Sequence, residues 1–548
     1  MVQANGVEIM PPMTDDPNRP FCESCNSWMI RDKGKALSGR QRYACLKCGV
    51  STTGSPESHF NNLNLGFSPK KLSKYGRKIR KAVRNGANRF VITSVNNNSE
   101  LNYAAWNSLL QLCQDRNAIL IVIPIHYKNI SLFTANQQYT KWWAKQAKPY
   151  LINEEIRIGP KTWVRGDVSI QATAAVPLSG LAPLVGDRWV IFGHSQMAME
   201  PIATPLNQLP GRMYTTGSMT QKSYSKTKLG AKAAFHHVMG ALYVETQGKK
   251  TFIRQLNADH RGVIYDLTDR YTPNGVDRNM NVLSLTTGDE HQKWMAPNVL
   301  QATYESSNSV VNELKPEYLI RHDVLDGYAG SHHHEGRYTI EYKKWFHGHA
   351  DYKVELDQVV DHINSTTPTK WKCTNILVRS NHHEHLDRWL ERADDRKDHL
   401  NADLICMLRN AQREAIRDGQ DYDAFRLYIA PRLKVDAIFS DGNTPIMLAG
   451  VDHSQHGDRG ANGARGSASG IANTTHKATI GHTHSARIVK SVYQVGKSTG
   501  TLEYETGLSS HTNTHCVQYQ NGKRTLIDII GHTWKATNAP SNGNISPP

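Results

Sequence analysis

Five short stretches rich in histidine and aspartate fall in fixed order across the second half of this chain. They are Gly288-Asp289-Glu290-His291, His322-Asp323-Val324-Leu325-Asp326, Ser380-Asn381-His382-His383-Glu384, Val451 to Asp458, and Gly481-His482-Thr483-His484-Ser485. Each follows an apolar run that reads as a strand: NVLSL, PEYLI, TNILV, TPIMLAG and KATI. Loops leaving the ends of strands in an α/β sheet converge on a shared crevice. The five together therefore predict one site, although a lone histidine is more often a surface or packing residue. Oxygen and imidazole ligands without thiolate favour manganese, with iron, zinc or magnesium as the other candidates. Two such ions, about 3.5–4 Å apart, clamp a phosphate and activate water.

Order, spacing and context resemble the calcineurin-like metallophosphoesterases, whose series is DxH, GDxxD, GNH(D/E), HG and GHxH. The likeness covers roughly residues 280–548. It implies that Asp289, His291 and His484 hold one divalent ion and that Asn381, His456 and His482 hold the other. Asp323 would bridge the two, and His382 would meet the substrate phosphate and assist the leaving oxygen. His453 competes with His456 for the fourth motif; Gly457 favours His456, because the family pattern is His followed by Gly. The chain departs from the pattern at His322 and Ser380, where glycine is expected, and at His383, where an acid is expected. The group that orients His382 is therefore open between Glu384 and Asp326.

The N-terminal region carries a different metal signature. Cys22-x-x-Cys25 and Cys45-x-x-Cys48 have the spacing of two knuckles closing a tetrahedral site for one structural zinc. The segment SGRQRYACLKCGVS resembles the second knuckle of zinc ribbons in some transposases and DNA-binding proteins. Cys113, Cys373, Cys406 and Cys516 show no framework and read as free thiols. A basic run follows from Ser68 to Arg89, in which Lys70, Lys71, Arg77, Lys78, Arg80 and Lys81 are offset by no acid. Helical spacing turns Leu72, Tyr75 and Ile79 to one face. Contact with phosphate backbone is the functional reading and a solvated tether the bland one. The glycine-rich stretch after His456, with Arg459 and Arg465, could cradle phosphates or be a plain loop.

Net charge is +16 over 548 residues, which favours a polyanionic partner, DNA above all. No apolar window is long enough to span a bilayer, and the N-terminus lacks a signal-peptide pattern, so a cytoplasmic protein is expected. From Phe90 onward a β-α-β opening, FVITSV then an amphipathic helix then AILIVIPI, predicts a parallel sheet. His194, His236 and His237 in this region show no ligand spacing, and no internal repeat is evident.

The expected architecture is α/β: a zinc ribbon over 1–60, a basic arm or linker over 61–88, and a middle α/β domain over 89–280. A four-layer α/β/β/α metallophosphoesterase domain over 281–548 completes it. This order, with the phrases FVITS, IVIPIHYKN and KAAFHHVMGALYVE, resembles the pre-early host-DNA-degrading nucleases of tequintavirus-type phages. That resemblance implies a DNase working in the bacterial host's cytoplasm, with homo-oligomers allowed. The competing readings are a repair exonuclease, another phosphatase of the same fold, or a DNA-binding regulator without chemistry. A full ligand set counts against the last.

Overall fold

The computed structural model describes residues 30–35, 41–45, 51–53, 73–127, 142–206, 208–474 and 477–537. The chain divides into two compact units, Met1–Leu72 and Ser73–Pro548. In the first, Ile30–Lys35, Gln41–Cys45 and Ser51–Thr53 form an antiparallel sheet in that order. Cys45 ends its second strand. Cys22, Cys25 and Cys48, with Lys70 and Lys71, lie outside the described residues.

The second unit opens with the helix Lys74–Arg84, capped by Ser73, whose hydroxyl accepts from the Gly76 amide. Its Tyr75 and Ile79, four residues apart and so on one face, are buried. The Tyr75 hydroxyl donates to the Leu120 carbonyl at 2.6 Å. Arg80 is committed to the main-chain oxygen of Glu155, whereas Arg77 and Lys81 are exposed. This part of the basic run is thus a helix packed on the second unit.

Three large sheets form the frame of that unit, beside a three-stranded and a two-stranded sheet among the described residues. The first has four strands in the order Lys250–Asn257, Gly240–Gln247, Arg89–Asn96, Ile119–Ile125. Its last strand is apolar throughout because both faces are covered. Ile119, Ile121 and Ile123 enter the core between sheets, while Leu120 and Val122 meet the layer that includes Trp106 and Leu109 of helix Tyr103–Asp115. The second sheet runs Ala437–Phe439, Thr374–Leu377, Tyr318–Arg321, Ser284–Thr286, Thr514–Gln518, Arg524–Asp528, its first four strands parallel. The third has ten strands and is shared by residues on both sides of 280, so the boundary expected there runs through one sheet. A single core of Ile92, Ile121, Leu242, Met199, Tyr214, Ile488, Cys516 and Leu526 joins side chains of all three sheets.

The ten-stranded sheet has a mirrored order. Its centre is the antiparallel contact of Arg487–Val489 with Met199–Ile202. Outward from there, each arm takes one antiparallel step, two parallel steps and a final antiparallel step. One arm ends at Met447–Leu448 and the other at Glu155–Arg157. The absence of an internal repeat, expected from the sequence, is corrected here: strand order repeats although residue identity does not.

Arg212, in this sheet, is tied to Asp528 at the end of the six-stranded sheet. Both are buried, the Arg212 Nη2 donates to Asp528 Oδ1 at 2.8 Å, and the guanidinium stacks 4.5 Å from the Trp189 ring. Removing one partner leaves the other charge buried and alone. Asp528→Ala should therefore cost about 3–5 kcal/mol in denaturant unfolding, whereas an apolar replacement of both should cost far less. A loss below about 1 kcal/mol, the range of exposed pairs, would show that the pair is solvated.

Candidate metal centre

The five motif loops meet at the carboxyl ends of parallel strands in the six- and ten-stranded sheets. Asp289 and His291 follow Ser284–Thr286, Asp323 follows Tyr318–Arg321, and Asn381 and His382 follow Thr374–Leu377. From the facing sheet, His456 follows Val451–Asp452, and His482 and His484 follow Ala478–Ile480. The turns are tight. His291, Asp323, His482 and His484 all have left-handed backbone, with φ of 36°, 46°, 78° and 58°. Each such non-glycine residue costs roughly 1–3 kcal/mol, and surrounding structure holds it only where geometry is over-determined. Gly481 must be glycine for another reason: a Cβ there would stand 2.1 Å from Asp289 Oδ1.

Asp289, His291, Asp323 and His484 form one group whose ligand atoms lie within 4.8 Å of one another, and Asp289, His322 and His456 form a second. His456 Nε2 is 3.0 Å from Asp323 Oδ2, His291 Nε2 is 3.6 Å from the same oxygen, and His484 Nε2 is 3.4 Å from Asp289 Oδ2. The His482 amide donates to Asp289 Oδ2 at 2.7 Å, and its ring lies 5.2 Å from that of His456. Asp323 thus stands between the two histidine sets. Asp289 Oδ1, Asp323 Oδ1 and Asn381 Oδ1 are buried without a hydrogen-bond partner. Orphaned hard-oxygen acceptors of this kind, with imidazoles beside them, fit divalent cations.

Electrostatics agree with the geometry. Burial pushes the Asp289 carboxyl upward. Asp323 is equally buried, yet the charges of His456 and His382 hold it well below the usual carboxylate range. His456 is driven the other way: burial opposes its protonation, but Asp323 and Asp289 raise it to about 9. Two carboxylates in so dry a site demand positive charge beside them.

Asp326 settles what orients His382. The His382 Nδ1 lies 2.7 Å from the Asp326 main-chain oxygen, and the residue lines a cavity. The Asp326 carboxylate meanwhile accepts from His291 Nδ1 at 2.8 Å and from Trp294 at 3.2 Å, fixing that ring so that Nε2 faces the carboxylates. Glu384, the other candidate, is engaged by Arg388 and Arg459. Of the loop arginines, Arg459 therefore has a carboxylate partner, and Arg465 is exposed. His453 turns away to Gln518 Oε1 at 2.7 Å, which leaves the fourth-motif position to His456. Glu290, inside the first motif, is no ligand; it is buried against Arg321, His362 and Tyr304.

His382 and Asn381 open on a cavity of about 710 Å³, shared with Trp294, Arg337, Lys343 and Tyr504. The Tyr504 hydroxyl lies 3.2 Å from His484 Nδ1. Trp294 and Tyr504 belong to no motif and carry no signal readable in one sequence. His332, His333 and His385 also come together, the last two lining the cavity, and no spacing in the sequence singles them out.

Comparison with known proteins places the chain. It is 31% identical over 459 residues to Protein A1 of Escherichia phage T5, covering 80% of this chain and 82% of that protein. The chain belongs to the family of Protein A1. No family model matches it. Among solved structures, Vps29 of Chaetomium thermophilum overlays 33% of this chain and 97% of its own, at 11% identity and a TM-score of 0.20. A Vps29 variant from Entamoeba histolytica overlays 38% and 94%, at 14% identity and a TM-score of 0.15. Overlap at that level carries no argument about this fold.

Proposed function

We propose that the protein is a two-metal phosphodiesterase that cuts DNA, and that it serves a phage by degrading host DNA in the bacterial cytoplasm. The observation that carries the reading is the pair of buried carboxylates, Asp289 and Asp323, set among His291, His456 and His484 on strained turns. Asp289, His291 and His484 would hold one ion, Asn381, His456 and His482 the other, and Asp323 both. Manganese suits this donor set best. Bound there, the two ions would polarise a phosphodiester and activate water. The chain's own part is positioning and proton transfer. His382 presents Nε2 to the leaving oxygen while the Asp326 carbonyl keeps its Nδ1 fixed. Trp294 and Tyr504 wall the cavity in which the diester would lie.

DNA as the partner is supported by the +16 charge and by the exposed cations Arg77, Lys81 and Arg465. A structural zinc on Cys22, Cys25, Cys45 and Cys48 belongs to the same reading. Among the described residues no helix is long and apolar enough to cross a membrane.

The test is an assay of the full chain on plasmid, linear duplex, single-stranded DNA and RNA, with manganese and with chelator. Cleavage of DNA that manganese supports and chelator abolishes is expected. Rapid turnover of a nitrophenyl monoester with every nucleic acid left intact would make it a phosphatase instead.

A further inference from the structure

The mirrored sheet order extends beyond one sheet. In residues 89–257 the strand Arg89–Asn96 pairs parallel with Ile119–Ile125 and antiparallel with the hairpin of Gly240–Gln247 and Lys250–Asn257. In residues 284–528 the strand Ser284–Thr286 pairs parallel with Tyr318–Arg321 and antiparallel with the hairpin of Thr514–Gln518 and Arg524–Asp528. In both halves, the strands between the first pair and the hairpin build one arm of the ten-stranded sheet. Two unrelated domains have no reason to share this succession of pairings and strand directions.

Matching turns supply the register. Gly193-His194-Ser195-Gln196 follows Trp189–Phe192 as Gly481-His482-Thr483-His484 follows Ala478–Ile480. A Cβ on Gly481 would lie 3.2 Å from the His322 Cβ, and one on Gly193 would lie 2.9 Å from the Ile123 Cβ. Ile123-Pro124-Ile125 therefore stands where His322-Asp323-Val324 stands, with no carboxylate to bridge two ions. Ser94-Val95-Asn96-Asn97, in place of Gly288-Asp289-Glu290-His291, offers neither carboxylate nor imidazole. The strand that delivers Asn381 and His382, Thr374–Leu377, and its neighbour Ala437–Phe439 have no counterpart between Ile125 and Glu155 among the described residues. His194 survives, but the Gln196 amide donates to its Nδ1 at 3.0 Å and its Nε2 lies 3.2 Å from the Gln171 carbonyl.

The space is filled instead by side chains bonded to one another. The Tyr224 hydroxyl donates to Ser195 at 2.7 Å, accepts from Asn96 at 3.3 Å and lies 2.8 Å from His237 Nδ1. Over this closed centre passes the segment from Thr216 to Met239, the counterpart of the one that brings Glu503, Tyr504 and Glu505 to the metal side. It carries Lys222, Lys226, Lys228 and Lys232, all exposed, and no acidic residue. Among the described residues none of the four has a carboxylate within ion-pair distance. Beside them, His237 is buried with its Nε2 unpartnered. Lys477 and Lys490 of the other half add charge near Lys222 and Lys232, and their repulsion lowers Lys523 and His236, which burial already depresses. Like charges so gathered repel unless an extended anion lies across them.

We propose that residues 89–257 are a second copy of the catalytic fold, dismantled as a metal centre, whose lysine rim holds the phosphate backbone of the nucleic acid that the other half cuts. The ligand rests on the function proposed above; the silent copy does not.

Two measurements on the full chain test this. In the first, binding of a fluorescent duplex is followed against salt in an Asp323→Ala background, with and without Lys222→Gln, Lys226→Gln, Lys228→Gln and Lys232→Gln together. The log–log slope should flatten by about 0.9 for each phosphate no longer neutralised, while the melting temperature of the protein holds. An unchanged slope and affinity would overturn the lysine rim. A parent that binds neither duplex nor single strand would remove the nucleic-acid reading itself, and the ligand with it. In the second, bound manganese is counted: His482→Ala should lose metal and His194→Ala none. Metal lost on His194→Ala would overturn the dismantled copy.

Discussion

Asp323→Ala should abolish hydrolysis of both DNA and a small nitrophenyl diester while the protein still folds. The side chain is buried, and Oδ2 lies 3.0 Å from His456 and 3.6 Å from His291, imidazoles that come from facing sheets. Asp289 also lies close to both groups, near His484 and His456, and accepts from the His482 amide, while Asp326 is turned to His291 Nδ1 and Trp294; Asp323 offers one oxygen, Oδ2, to both His291 and His456. Losing the shared carboxylate removes the charge that offsets two cations at once. The expected loss is at least about 10³-fold, the upper end for one electrostatic contact in a dry site. Circular dichroism and a cooperative melt should remain, because Asp323 is not part of any apolar cluster. Activity within tenfold of wild type would remove Asp323 from the bridging position.

His382→Ala should behave differently. Its ring is held by the Asp326 carbonyl and packs edge-on against His291 at 4.5 Å between centroids, and the residue lines the cavity. Metal content should survive. Turnover of DNA, whose leaving alkoxide needs a proton, should fall by roughly 10²–10⁴-fold. A nitrophenyl diester, whose leaving group departs unprotonated, should lose far less. Equal losses on both substrates would mean that His382 positions the phosphate without donating a proton.

The strands that carry the five motifs were legible in the sequence because each apolar run is bounded by histidine and aspartate, and a fully covered strand such as AILIVIPI has few alternatives. The histidine choices were legible only as a set; His456 over His453 rested on Gly457, and the structure shows His453 spent on Gln518. What orients His382 was not readable, since the partner is a main-chain carbonyl, which any residue carries. The repeated half was hidden for a related reason. Its strands keep only the property of being apolar, and the residues that would have announced it, an Asp289 or an Asp323, are replaced by Val95 or Pro124 and their neighbours. Pairing direction and register, not composition, preserve the kinship. In the basic run, helical spacing sets Tyr75 and Ile79 on one face and both anchor its helix in the core, whereas the capture of Arg80 by a main-chain carbonyl has no signal in the sequence.

Anomalous diffraction at the manganese edge, from crystals of the full chain grown with manganese, tests the proposed two-metal centre most directly. Two peaks are expected, roughly 3.5–4 Å apart as in other two-metal sites, with the Asp323 carboxylate between them. One should lie against Asp289, His291 and His484, the other against Asn381, His456 and His482. A single peak, or a pair that leaves Asp323 outside both coordination spheres, would contradict the account.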